Sequence, residues 1–179
     1  KLNNKCKLFI GDLTNQKFTS RILKNNFEII FHLAAQVEVG VANKGPYKTW
    51  ESNIRGTYTI LDNLIGNKKI KSIILASSDK SYGTYPKSLL PYKETYSSRA
   101  VYPYDVSKAC ADMIGQSYAS ELFKLPIITT RFSNIYGPGQ LHFSALIPDI
   151  MKSIILNKIF IPRGDGSDLR DYVYIDDIV

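Results

Sequence analysis

The stretch KSIILASSDKSYG, residues 71–83, decides the fold. Its first half is a short, β-rich apolar run, residues 72–76, of the kind that forms a buried parallel strand. Its second half leaves that strand with a hydroxyl, a carboxyl and an ammonium in succession: Ser78, Asp79 and Lys80. In an open parallel sheet, ligands bind beyond the carboxyl ends of the strands, so these polar groups fall where a ligand would lie. By itself the run also fits a solvent-exposed polar turn.

Working outward, comparable apolar runs at residues 7–10, 29–33 and 127–131 alternate with segments of helical period at 16–24, 47–65 and 104–122. Alternation of this kind predicts a doubly wound α/β sheet with crossover helices. Trp50, Ile54, Tyr58, Leu61 and Ile65 form one apolar stripe, expected to face the sheet. On the 104–122 helix, Val106, Cys110, Met113, Ile114 and Ala119 are expected to do the same. The Tyr-, Ser- and Pro-rich segment from Tyr82 to Pro103 reads as a long functional loop or lid, whose tyrosines cover apolar surface or contact a ring. A helix around 144–156 and a strand at 172–175 follow.

The chain has 179 residues, 44% hydrophobic, enough for one substantial core. No apolar run is long enough to span a bilayer and no signal sequence is visible, so a soluble cytoplasmic protein is expected. Its two cysteines, Cys6 and Cys110, have neither metal-ligand nor disulfide-framework spacing, and no metal site is expected. The formal net charge of +7 comes from scattered lysines, which argues against a nucleic-acid partner.

Tyr104-Asp-Val-Ser-Lys108 opens the third helix. Spacing of four sets phenol and ammonium on one helical face, where the positive charge would favour a phenolate and make a usable base. Alone, the pattern equally fits an exposed helical pair. His32 reads as packed at a strand end, and His142 has no evident role.

Together these segments resemble the extended short-chain dehydrogenase/reductase family, the NAD-dependent epimerases and dehydratases. That family has a Ser or Thr at a strand end and Y-x-x-x-K at the next helix start. Gly11-Asp12-Leu13 resembles its adenine-contacting segment and His32-Leu33-Ala34-Ala35-Gln36 its cofactor loop. Asn53-Ile54-Arg55-Gly56-Thr57 is similar to the helix motif that follows. Arg131-Phe132-Ser133-Asn134-Ile135-Tyr136-Gly137-Pro138 and Arg170-Asp171-Tyr172 resemble its later motifs.

The resemblance implies a Rossmann-like fold with NAD held by Asp12, Leu13, Leu33, Ala34, Ala35, Gln36, Tyr104 and Lys108. It also implies catalysis by Ser78, Asp79, Lys80, Tyr104 and Lys108, and a nucleotide-sugar substrate met by Ser78, Asn134 and Arg170. An acidic residue after the catalytic Ser marks the 4,6-dehydratases, and the Ser-Asp-Lys run is similar to the branch acting on CDP-glucose. On this reading residues 1–135 are a partial NAD-binding domain and 136–179 the start of a nucleotide-sugar-binding region. A homodimer through the Tyr47 and Tyr104 helices is expected. With no G-x-x-G-x-x-G turn, the sequence reads as truncated at both ends. The alternatives are an epimerase of the same family and a non-catalytic relative.

Overall fold

The computed structural model describes residues 6–162, 164–167 and 169–179. The chain up to Arg131 forms one compact unit and Phe132–Val179 a second, each with its own sheet. This division falls before the expected 135/136 boundary because residues 134–136 pair with a strand of the second unit.

In the first unit, α1 (Gln16–Leu23) starts at an Asn15 cap whose side chain accepts from Phe18 N at 3.0 Å, satisfying one orphan amide of the first turn. Then come β1 (Ile29–His32), α2 (Val39–Lys44), α3 (Tyr47–Trp50), a five-residue π turn (Glu51–Arg55) and α4 (Gly56–Asp62). From α3 to α4 the capping residues keep helical dihedrals, so the three run on as one rod. β2 (Ser72–Ala76), a 3-10 turn (Asp79–Tyr82), α5 (Pro103–Ala119) and β3 (Ile127–Thr130) complete the unit.

The strands lie in the order β1-β2-β3, all parallel, with Ile30, Ile73 and Ile127 in register. This is the Rossmann-like arrangement the alternation predicts. Residues 7–10 join no ladder, so the strand expected there is not formed.

The core lies between one sheet face and the helices, built on Ile60, Leu61, Leu64, Ile70, Ile73 and Leu125. Burying each such side chain contributes roughly 1.5–3 kcal/mol. On both helices, the inward face matches the apolar stripe the periodicity picks out only in part: Leu61 is buried and Ile114 packs on the core, as expected. The α3–α4 rod turns Thr49, Asn53, Thr57 and Leu61 inward, whereas Trp50, Tyr58 and Ile65 are exposed. On α5, Ser107, Lys108, Ala111 and Gly115 are buried, while Met113 is 65% exposed. A Cβ at Gly115 would stand 2.7 Å from Leu75 Cδ2, so the helix packs too closely on the sheet for a larger side chain. Small and hydrogen-bonding residues fill the tight part of this contact, leaving Trp50, Tyr58 and Met113 outside.

The second unit contains β4 (Asn134–Tyr136), α6 (Leu146–Ile155) and β5 (Tyr172–Tyr174), the two strands pairing in parallel.

Candidate active site

Ser77 and Ser78 continue directly from β2, and the first turns of α5 are pinned against them. Lys108 Nζ donates to Ala76 O at 2.9 Å, and Ser77 Oγ donates to Lys108 O at 3.4 Å. Ser78 then caps the 3-10 turn, its hydroxyl accepting from Lys80 N at 3.2 Å and donating to Asp79 Oδ1 at 2.9 Å.

Tyr104 is buried above this turn. Burial pushes its phenol upward from the ordinary tyrosine value, a hydrogen bond with Ser78 opposes that, and the Asp79 and Asp105 charges add to the rise. Lys108 is itself pulled down by burial. The net shift of the phenol is thus upward rather than the depression expected, with burial its largest cause. Ser78, Asp79 and Tyr104 share one neighbourhood, and Lys80 lies close enough to act electrostatically on Asp105, the residue after the tyrosine.

A second feature holds this site together. Asn53, buried in the π turn, accepts from Gln36 N at 2.7 Å and donates to Gln36 O at 3.0 Å and to Ser107 Oγ at 2.9 Å. Ser107 in turn donates to Tyr104 O at 2.7 Å. One amide thus ties the loop after β1, the helical rod and α5, with both its N–H donors used and its oxygen accepting once. The motif around Asn53 signals this position, but its partners could not be read from spacing.

His32 closes the same region: Nε2 lies 3.0 Å from Thr57 Oγ1, whose own hydrogen goes to Asn53 O at 2.7 Å, so His32 Nε2 is the donor. Burial, helped by the Lys108 charge, lowers His32 from 6.5 to about 4. Its folded pKa lies below its unfolded one, so the unfolded state binds the extra proton between those values. Stability is then fully present above pH 6.5 and is lost as pH falls toward 4, by about 2 kcal/mol at pH 5. Melting curves from pH 7 to 5 are expected to lose this component in His32→Gln; an unchanged slope in that variant would assign it to other groups.

Gly11, Asp12, Leu13 and Ala34 line a cleft of about 550 Å³ together with Tyr47, Lys48 and Ser52. Asp12 accepts from Thr14 N at 2.8 Å, a bond that lowers its pKa and fixes the carboxylate at the cleft. Volume and lining suit one part of a dinucleotide. Of the other expected cofactor residues, Leu33 and Ala34 are exposed, while Ala35 and Gln36 are half-buried. Asn134 and Arg170 belong to the second unit, where Asn134 Nδ2 donates to Asp171 O at 3.0 Å and Arg170 is exposed beside β5.

Among the described residues no group of three His, Cys, Asp or Glu side chains is placed to hold a metal, and no helix is long and apolar enough to cross a membrane.

The model of the NAD-dependent epimerase/dehydratase family matches residues 1–179. The chain belongs to that family. Among family relatives it is 34% identical to the dTDP-D-glucose 4,6-dehydratase of Dictyostelium discoideum, over 97% of this chain and 42% of that protein. It is 28% identical to the CDP-glucose 4,6-dehydratase of Salmonella typhimurium, over 93% of this chain and 49% of that one. The solved structure of a UDP-glucose 4-epimerase from Thermotoga maritima superposes with a TM-score of 0.90 at 28% identity, covering 99% of this chain and 58% of that one. The chain therefore spans about half the length of the curated family members it matches.

Proposed function

We propose that this chain carries the catalytic residues of an NAD-dependent nucleotide-sugar 4,6-dehydratase, a hydro-lyase acting on an NDP-hexose. The observation that carries the reading is Asp79, next to Ser78 at the end of β2 and within electrostatic reach of the buried Tyr104 phenol. In this reading Tyr104 takes the proton of the sugar 4-hydroxyl and Ser78 hydrogen-bonds the same oxygen. Lys108 lies one helical turn further on, as the cation that stabilises the phenolate and holds the cofactor ribose. Asp12, Leu13, Leu33, Ala34, Ala35 and Gln36 hold the rest of NAD, which when bound supplies a two-electron acceptor regenerated within each turnover.

With carbon 4 a ketone, the proton on carbon 5 becomes acidic. Lys80 is assigned as the base that takes it and Asp79 as the acid that protonates the departing 6-hydroxyl. With the hydride taken from carbon 4 returned to carbon 6 and the proton returned to carbon 5, the products are the 4-keto-6-deoxy sugar and water. Asn134 and Arg170 are assigned to the substrate, the arginine to its diphosphate. CDP-glucose is the proposed substrate, on the Ser78-Asp79-Lys80 run.

A 4-epimerase is the second reading, favoured by the likeness to the Thermotoga maritima enzyme. Incubating the full-length protein with CDP-, dTDP-, GDP- and UDP-hexoses separates the two. A 4-keto-6-deoxy product is expected; an epimerised hexose, or no product from any of them, would remove the dehydratase.

A cytoplasmic homodimer completes the proposal. Its support is the outward apolar face made by Tyr47, Trp50 and Tyr58 of the rod and Met113 of α5, elements that pack side by side. Sedimentation of a monomer at micromolar concentration would contradict it.

A further inference from the structure

We infer that Arg131 is a positioning residue for the Asp79–Lys80 pair, acting through the ring of Tyr82. The inference rests on the dehydratase reading, which gives that pair its chemistry.

Arg131 follows β3, and its guanidinium is locked from three sides. Nε donates to Asp112 Oδ2 at 2.6 Å, one terminal nitrogen donates to Asp112 Oδ1 at 3.3 Å and the other donates to Glu94 O at 3.2 Å. Asp112, on α5, is itself only 4% exposed and accepts a further bond from Gln116 Nε2 at 2.7 Å. The guanidinium is thus fixed to the same helix that carries Tyr104 and Lys108.

Its flat face is set 4.6 Å from the centroid of Tyr82. Tyr82 also stacks on Tyr92, with centroids 4.8 Å apart and planes 11° from parallel. Tyr92 and Tyr96 both pack on Tyr85, so the loop is an aromatic stack, closed at its neck by Arg99 N donating to Tyr82 O at 2.8 Å.

Tyr82 is the last residue of the 3-10 turn that begins at Asp79. Short 3-10 segments have poor hydrogen-bond geometry and need outside support. Here the Ser78 cap holds the first end, and within the turn the Ser81 hydroxyl is buried without a hydrogen-bond partner. Tyr82, pressed by the guanidinium and by Tyr92, supplies the second anchor. Asp79 and Lys80 lie between the two. A lysine at 131 would keep a charge for Asp112 but lose the planar fork and the stacking face.

The experiment compares full-length wild type with Arg131→Lys and Tyr82→Leu. Hydrogen–deuterium exchange is followed without substrate or cofactor, and steady-state kinetics with dTDP-, CDP- and UDP-glucose. Both variants are expected to exchange faster at residues 80–83, with α5 protected as in wild type. Their kcat should fall roughly 10- to 100-fold at unchanged KM, as a small misplacement of acid and base would cause. Wild-type exchange at 80–83 in both variants, or wild-type kcat, would overturn the inference. Faster exchange across α5 as well would also overturn it, by making the ion pair a general structural brace. If wild type turns over none of the sugars, the dehydratase reading fails, while the exchange data still decide whether Arg131 holds the turn.

Discussion

Replacing Tyr104 by Phe lowers turnover of the nucleotide sugar by about 10²–10⁴-fold, the range expected when one positioned acid/base group is removed. The substitution deletes a single oxygen. The ring, 8% exposed at the start of α5, keeps its packing, and the tie that fixes this turn runs through the backbone carbonyl of residue 104, which accepts from Ser107. Fold and cofactor retention should therefore match wild type, as checked by melting temperature and by nicotinamide content of the purified protein. The loss should appear in kcat more than in KM, because in the proposed reaction the phenol acts on the 4-hydroxyl as its proton leaves. Turnover within about twofold of wild type would show that another group takes that proton, and the roles given to Ser78 and Lys108 would fall with it.

How much of this site was legible in the sequence differs from group to group. Ser78, Asp79 and Tyr104 could be placed together because each sits at the end of a regular element, and in a parallel sheet strand ends and following helix starts lie on one side. The runs at 29–33, 72–76 and 127–131 were equally readable, since short runs rich in β-branched residues favour extended strands. What spacing could not supply were the long-range partners. Lys108 bonds a carbonyl 32 residues away and Asn53 a hydroxyl 54 residues away. The Arg131–Asp112 pair and its Tyr82 contact likewise depend on how α5, β3 and the loop are packed. The brief helix Val39–Lys44 and the three-residue strand Asn134–Tyr136 are too short to show a period. The 82–103 segment reads as a long polar loop, and its tyrosines stack on one another and on two guanidinium groups.

The rotation of the α3–α4 rod and its extension gives the largest expected change in stability. Periodicity alone sets Ile65 in the core with Trp50 and Tyr58, whereas the structure buries Leu64 fully and leaves Ile65 44% exposed. Leu64→Ala is expected to cost about 2–5 kcal/mol, because the hole it leaves among Ile60, Leu61, Ile70, Ile73 and Leu125 has rigid walls on both the helix and sheet sides. For a chain of this size that lowers the melting temperature by roughly 4–20 °C. Ile65→Ala removes atoms already half in water and should stay within about 1 kcal/mol. The two residues are neighbours with similar volumes, so their difference isolates the direction in which the helix faces. Equal losses, or a larger loss at Ile65, would mean that the apolar stripe does face the sheet. Asn53 and Thr57 would then be turned away from Gln36, Ser107 and His32, and the bracket that holds α5 could not exist.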